Sequence, residues 1–512
     1  MSYCKRPNMA VTKQRKIQHL YHRAGFGIDI SELNAIQNKP IEEIAENILR
    51  SSKLFTELSI DYSEHPGIYK LSKEQKKNLT KEEKQKINKQ FRADIVKLNV
   101  KWVNKCASDN AQLREKMTLF WHGHFACKSR VPIFNQNQNN TLRKFALGKF
   151  GDLLMAVSKD PAMLQYLNNQ QNRKKSPNEN FARELMELFT LGKGNYTEED
   201  IKNSARAFTG WGFDEEGQFV FRERQHDDGE KIFLGKRGNF SGEDIVKIIL
   251  ENKKTAEFIT AKIYKYFVNE NESDQSILKE LADDFYKSDY DIEKLMKNIF
   301  TSDWFYDEKN IGAKIKSPVE LTAGMMNVFK IKFEKDLPII FIEKTLGQML
   351  LNPPNVAGWA GGKNWIDTSS IMFRMKLPEV LFKSSQIEFE YKDIPDENDN
   401  EEENMSVMNK EMNDEEINQI KTKKNTKQKD NSIGKKYFKQ VKTQIDLSDY
   451  FKAFGKYDKE ELVNELAEFI LQKDINTGTK KLAMTYSDIS SKENLIESLI
   501  MRLMSLPEYQ LC

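Results

Sequence analysis

Apolar residues recur at helical spacing along almost the whole chain, and this period constrains the fold more than any other feature. The stretch ISELNAIQNKPIEEIAENILR sets Leu33, Ile36, Ile41, Ile44 and Ile48 on helix-like stripes, with Pro40 where a second helix can begin. The stretch NAQLREKMTLFWHGHFA turns Leu113, Met117, Phe120 and Trp121 to one side. Residues 72–104 read as one long exposed helix, and residues 141–158, 161–168, 244–268, 290–305 and 317–329 repeat the pattern. Period-two alternation is confined to one place. Phe219 and Phe221 alternate with polar neighbours, Asp228-Gly229 is a turn dipeptide, and Ile232, Phe233 and Leu234 follow. This predicts a small β-hairpin near 217–235 inserted between helices. The expected fold is mainly α, a large multi-helix domain with that hairpin.

The pattern breaks once. Residues 383–440 are first acidic and then basic, with almost no apolar side chains. Such a segment cannot bury enough surface to offset its ordering entropy, so a disordered charged insertion is expected there. It separates a main helical domain, 1–382, from C-terminal helices, 441–512, expected to pack back on the main domain.

Charge excludes some functions. The 80 Lys and Arg nearly balance the 77 Asp and Glu, which gives no general argument for a nucleic-acid partner. No apolar run approaches the length of a transmembrane segment. The N-terminal residues are basic but lack an apolar signal core, so the chain as encoded reads as cytoplasmic. Cys4, Cys106, Cys127 and Cys512 are scattered, with no C-x-x-C pair. Phosphate-loop, dinucleotide, nucleophile-elbow and H-E-x-x-H motifs are absent.

The densest polar signal is KSPNENFARELMELFTLGKGNYTEEDI, residues 175–201. Ser176, Pro177 and Glu179 read as an N-cap, first-turn proline and capping-box partner, and Gly192 as a stop. Glu179, Arg183 and Glu187 share one stripe, and Glu184 and Glu187 share a face. An exposed ion-pair ladder explains them; so does a site with Glu184 or Glu187 as acid/base beside Arg183. In FWHGHFA, His122 and His124 are candidate ligands for a divalent metal if that segment is extended, and ordinary helix-terminal histidines otherwise. In ERQHDDGEK, the turn explains Asp228 and leaves His226 and Asp227 as a candidate catalytic pair. Arg206 and Trp211 flank Gly210, a combination suited to a sugar ring or an anion, and equally to a plain interface. Trp359 and Trp365 lie in NPPNVAGWAGGKNWI, a rigid loop with the composition of carbohydrate-stacking surfaces.

HLYHRAGFG, REKMTLFWHGHFA, DPAMLQYLNN, PNENFARELMELFTLGKGNYTEEDI, ARAFTGW, QHDDGEKIFLG, SPVEL, PPNVAGWAGGKNWI and LPEYQL follow one another in this order. Together they closely resemble the bacterial family of domain of unknown function 1800, over about residues 17–382 and 441–512. The resemblance implies a predominantly helical protein. It also implies an extracytoplasmic role on glycans or envelope polymers, because many relatives are exported and their genes often neighbour a sulfatase-like family, domain of unknown function 1501. This sequence departs from that pattern in showing no export signal. Two functions follow as expectations. One is an enzyme for hydrolysis or transfer on a glycan-like substrate, with Glu184, Glu187, His226 and Asp227 catalytic, Arg183, Arg206, Trp211, Trp359 and Trp365 binding substrate, and a metal held by His122 and His124. The other is a non-catalytic binding or assembly module working with the sulfatase-like partner.

Overall fold

The computed structural model describes residues 11–62, 73–383, 386–389 and 437–512. The protein is mainly helical, with only small two-stranded sheets. Helix starts follow local chemistry. Capping boxes at Thr80, Thr197, Ser241, Ser317 and Asp458 each satisfy backbone donors of a first turn. The expected long helix at 72–104 is divided: Lys73–Asn78 precedes Lys81–Ser108, and the Thr80 cap makes the break.

One continuous apolar core joins the Lys13–Ala24 helix to Gln112–His124, Phe150–Ser158, Lys253–Phe267 and Ile292–Phe300. A second cluster around Leu98, Trp102, Met326, Ile339 and Leu350 seats the Lys81–Ser108 helix against Pro318–Val328 and Leu337–Leu346. The C-terminal helices belong to the same body. Lys459–Ile470 lies against Lys13–Ala24, and Lys492–Met504 against Thr368–Lys383. Arg15 and Asp474 pair at 2.8 Å across the first of these contacts. Among the described residues, no helix is long and apolar enough to cross a membrane.

The strand region falls near its expected place but pairs differently. Trp211–Phe213 runs antiparallel to Phe219–Phe221, and Lys231–Phe233 to Lys236–Gly238. Asp228-Gly229 therefore lies between two short ladders and closes neither. The first turn is held by Asp214, whose carboxylate accepts from the Gln218 N–H at 2.7 Å. The second is made by Leu234 and Gly235, both at positive φ. Of the charged insertion expected at 383–440, residues 384–385 and 390–436 lie outside the described residues. Its flanks Gln386–Phe389 and Tyr437–Gln440 pair antiparallel, Gln386 opposite Gln440.

Candidate functional site

The segment after Pro177 is built by asparagines. Asn172 accepts from the Asn178 N–H at 2.9 Å, and Asn178 accepts from the Asn180 N–H at 3.0 Å. The helix starts at Asn180, so Ser176 is not its N-cap; its N–H instead bonds back to the Arg173 carbonyl at 2.8 Å. After Glu184 the helix widens into a π-helix over Leu185–Thr190. π-Helical turns leave carbonyls needing other partners, and they occur often at functional sites. Here the Thr190 hydroxyl donates to the Leu185 carbonyl at 2.6 Å, and Lys262 to the Leu188 carbonyl at 2.9 Å. His124 Nε2 meets the Phe189 carbonyl at 3.1 Å.

The three charged residues of this segment have different surroundings. Arg183 makes two bonds of 2.9 Å to Glu198 and reaches Glu179 at 3.3 Å. Glu187 accepts from the Tyr196 hydroxyl at 2.8 Å. Glu184 is half-buried and has no hydrogen-bond or ion-pair partner among the described residues. Burial raises its pKa, the neighbouring charge of Glu187 adds to this, and Arg183 opposes it. Tyr196 carries no motif signal of its own in the sequence. Its signal is positional, a phenol just beyond the Gly192–Gly194 turn, which folds it back over the π-helix.

His122 and His124 end the Gln112–His124 helix and serve different neighbours. His122 is fully buried, accepts from the Leu351 N–H at 3.1 Å, and touches Trp102 and Trp359. Burial alone pulls its pKa down to about 4. His124 bridges the Phe189 carbonyl and the Lys262 ammonium, the latter at 3.2 Å. Burial lowers Lys262 to about 8. His122 Nε2 and both nitrogens of His124 are thus directed to separate partners. Among the described residues no three or more His, Cys, Asp or Glu side chains could hold a metal ion.

Arg206, His226 and Asp227 meet in one network. Arg206 holds Asp227 through two bonds, 2.7 and 3.2 Å, and also donates to Asn203 and the Glu230 carbonyl. That guanidinium keeps the Asp227 carboxyl below its usual range. His226 Nδ1 meets the Thr209 carbonyl at 2.9 Å, and Lys231 donates to the carbonyls of Asp227 and Gly229. Trp211 is buried between Phe208 and Phe219 with the Lys159 ammonium over its ring, so it presents no open stacking face. Trp365 is buried, and Trp359 is half-buried against His122. Gly358, at φ 73°, brings this loop onto the Gly123 carbonyl; a Cβ there would lie 2.3 Å from that oxygen.

The expected site residues thus fall into three places: the π-helix with Glu184 and Glu187, the Arg206–Asp227 network, and the His122–Trp359 contact. The order of motifs along the chain and the mainly helical frame have one common explanation. A family model described as "Protein of unknown function (DUF1800)" matches residues 19–511, and the chain belongs to that family. No curated protein and no solved structure matches it.

Proposed function

We propose that this protein is an enzyme of hydrolysis or group transfer whose carboxylate pair is Glu184 and Glu187, acting on a glycan-like or envelope polymer. The observation that carries this reading is the contrast within the pair. Glu184 is half-buried, raised in pKa and without a hydrogen-bond partner among the described residues, while Glu187 is oriented by the Tyr196 hydroxyl. Two carboxyl groups in unlike settings are what acid/base cleavage of a glycosidic bond needs. Glu184, whose protonated form burial favours, protonates the departing oxygen as the bond to the sugar carbon breaks. Glu187 takes a proton from the incoming water or acceptor hydroxyl as the new bond to that carbon forms. Arg206, His226 and Asp227 act by fixing the hairpin region, since Arg206 bonds Asp227 and His226 bonds the Thr209 carbonyl.

The test is turnover of a panel of bacterial envelope polysaccharides, read by mass spectrometry, with wild type, Glu184→Gln and Glu187→Gln. Each substitution is expected to lower turnover by about 10²-fold or more with an unchanged circular dichroism spectrum. Full activity in Glu184→Gln would remove the reading. A second reading, an assembly module working with the sulfatase-like partner, draws support from the pairing of Arg183 with Glu198 and of Arg206 with Asp227, which ties these cations up within the chain. It predicts a stable complex with that partner and no turnover in any arm.

A further inference from the structure

Separate parts of the chain bring cations into one buried region. Arg23 comes from the first helix, Lys116 from Gln112–His124, Lys314 and Lys316 from the segment before Pro318, and Arg374 from Thr368–Lys383. All five are buried, Arg374 completely and Arg23 to 1% exposure. Glu320 stands among them. Lys116 reaches its carboxylate at 2.6 Å, Lys314 bonds the same oxygen, and the Ser317 N–H donates to the other at 2.8 Å. Lys116 also donates to the Gly25 carbonyl at 2.8 Å. Lys316 donates to the Tyr509 carbonyl at 2.8 Å and lies over the Tyr509 ring.

These contacts leave donors over. Arg374 uses Nη1 on the Lys316 carbonyl at 2.9 Å and on Gln510 at 3.4 Å; its Nε and Nη2 have no partner among the described residues. Arg23 uses Nη2 on the Asn310 carbonyl at 3.0 Å; its Nε and Nη1 have none. The Gln510 amide nitrogen and the Tyr266 hydroxyl are likewise unpartnered, and the Lys314 ammonium lies over the Tyr266 ring at 3.9 Å. Negative charge is scarcer. Beside Glu320 there is Glu270, which accepts from the Ile315 N–H at 3.0 Å, and charge at Cys512 acts on Arg23, Lys116 and Lys316. Burial draws Arg374 down to about 10 and Lys316 to about 8; Lys116 and Arg374 push Lys316 the same way. His22, at the edge of the group, is lowered by burial and then by Lys316, Lys116 and Arg23. Buried charged N–H groups without acceptors are among the costliest features a fold can carry. An acceptor bearing negative charge removes that cost.

We propose that this region is a binding site for a compact oxyanion, held between Arg23, Lys316 and Arg374. Guanidinium forks match the paired oxygens of phosphate, sulfate and carboxylate alike. Complete burial restricts the ligand to a small ion or to the acidic end of a small molecule, and rules out a membrane surface or nucleic acid. The proposal uses no residue of the Glu184 pair, so either can fail alone.

The full chain is purified in chloride and denatured with acid. Released anions are read by ion chromatography for phosphate and sulfate, and by mass spectrometry for organic acids. Near-stoichiometric release of one of them is expected, and which one appears identifies the source. In parallel, melting is followed in phosphate, sulfate or acetate against chloride at matched ionic strength. At least one oxyanion is expected to raise Tm saturably, by about 3 °C or more at a hundredfold excess over its Kd. Arg374→Gln should lose the saturable part, while Lys279→Gln, at an exposed position, keeps it. General salting effects rise without saturation and survive in Arg374→Gln. No released anion together with equal or merely linear melting responses would overturn the proposal. Those arms use wild type alone, so they decide even if Arg374→Gln does not fold.

Discussion

Glu115 and Glu320 are two buried carboxylates in opposite company. Glu115 faces Arg143, which bonds it at 2.6 and 3.0 Å, and the Trp102 indole N–H at 3.1 Å. The remaining Arg143 nitrogen donates to Asn140 at 2.8 Å. Arg114 next door gives its guanidinium to the carbonyls of Ser52, Arg143 and Lys144. Each guanidinium nitrogen of Arg143 has an acceptor, and the pair closes on itself. Around Glu320 the cations outnumber the carboxylates, and Arg23 and Arg374 keep unspent donors. A closed pair ties helices together. An open one costs stability until something completes it, which is the physical signature of a receptor rather than a strut.

The largest effect is expected from breaking the closed pair. Arg143→Met leaves the buried Glu115 with only Lys105, 3.9 Å away, as a cation and without its bidentate partner, and chemical denaturation should report a loss of about 3–5 kcal/mol. The loss should be the same in chloride and in phosphate, because every guanidinium nitrogen of Arg143 already has an acceptor within the chain. A loss below about 1 kcal/mol would mean that burial of the pair contributes no more than a surface ion pair, and the contrast with Glu320 would fall.

Acid sharpens the comparison. The folded pKa of His122 is about 4, below the ordinary value of 6.5, so the unfolded chain takes up the proton first as pH falls. The stability concerned is present above pH 6.5 and is lost between 6.5 and 4. It amounts to about 3 kcal/mol by the lower limit. His19, His22 and His124 shift in the same direction. His122 is lowered by burial alone, whereas Lys316, Lys116 and Arg23 also press on His22. An oxyanion should therefore soften the part of the acid limb due to His22 and leave the His122 part unchanged. Denaturation midpoints at pH 7, 6, 5 and 4 test both points; an unaltered acid limb in His122→Gln would contradict the assignment.

Most of the fold is legible in the sequence because its causes are local. Helical period and caps such as Thr197 and Ser317 need no knowledge of distant residues. The strand region is legible in place and not in pairing, because Leu234 at positive φ carries no turn signal in a leucine. Ser176-Pro177 looks like a helix start, and Asn172 outcompetes it by reaching forward to the Asn178 N–H. Glu184 and Glu187 can be picked out because they lie on one short element. The Arg206–Asp227 pair joins two separately noticed motifs 21 residues apart. The buried cations escape notice for the same reason. Arg374 in an apolar helix looks like a snorkelling surface residue, and only the fold brings it to Lys316.

The Arg206 network supplies the smallest expected effect and a useful intermediate case. It is saturated like the Glu115 pair, yet its Arg206 and Asp227 side chains remain 30% and 18% exposed. Solvent can take over part of what Asp227 loses, so Arg206→Ala should cost about 1–2 kcal/mol. The loss should be local. Arg206 joins the Glu198–Ala207 helix to the chain between the two ladders, so limited proteolysis should speed up between Arg222 and Glu230 before the core opens. Arg206→Lys keeps the charge and loses the fork, and should recover only part of the loss. A cost of about 3 kcal/mol or more, equal to that of a buried ion pair, would show that saturation and not burial sets the energy of these networks. The open donors around Glu320 would then be still more expensive, and the case for an anion there correspondingly stronger.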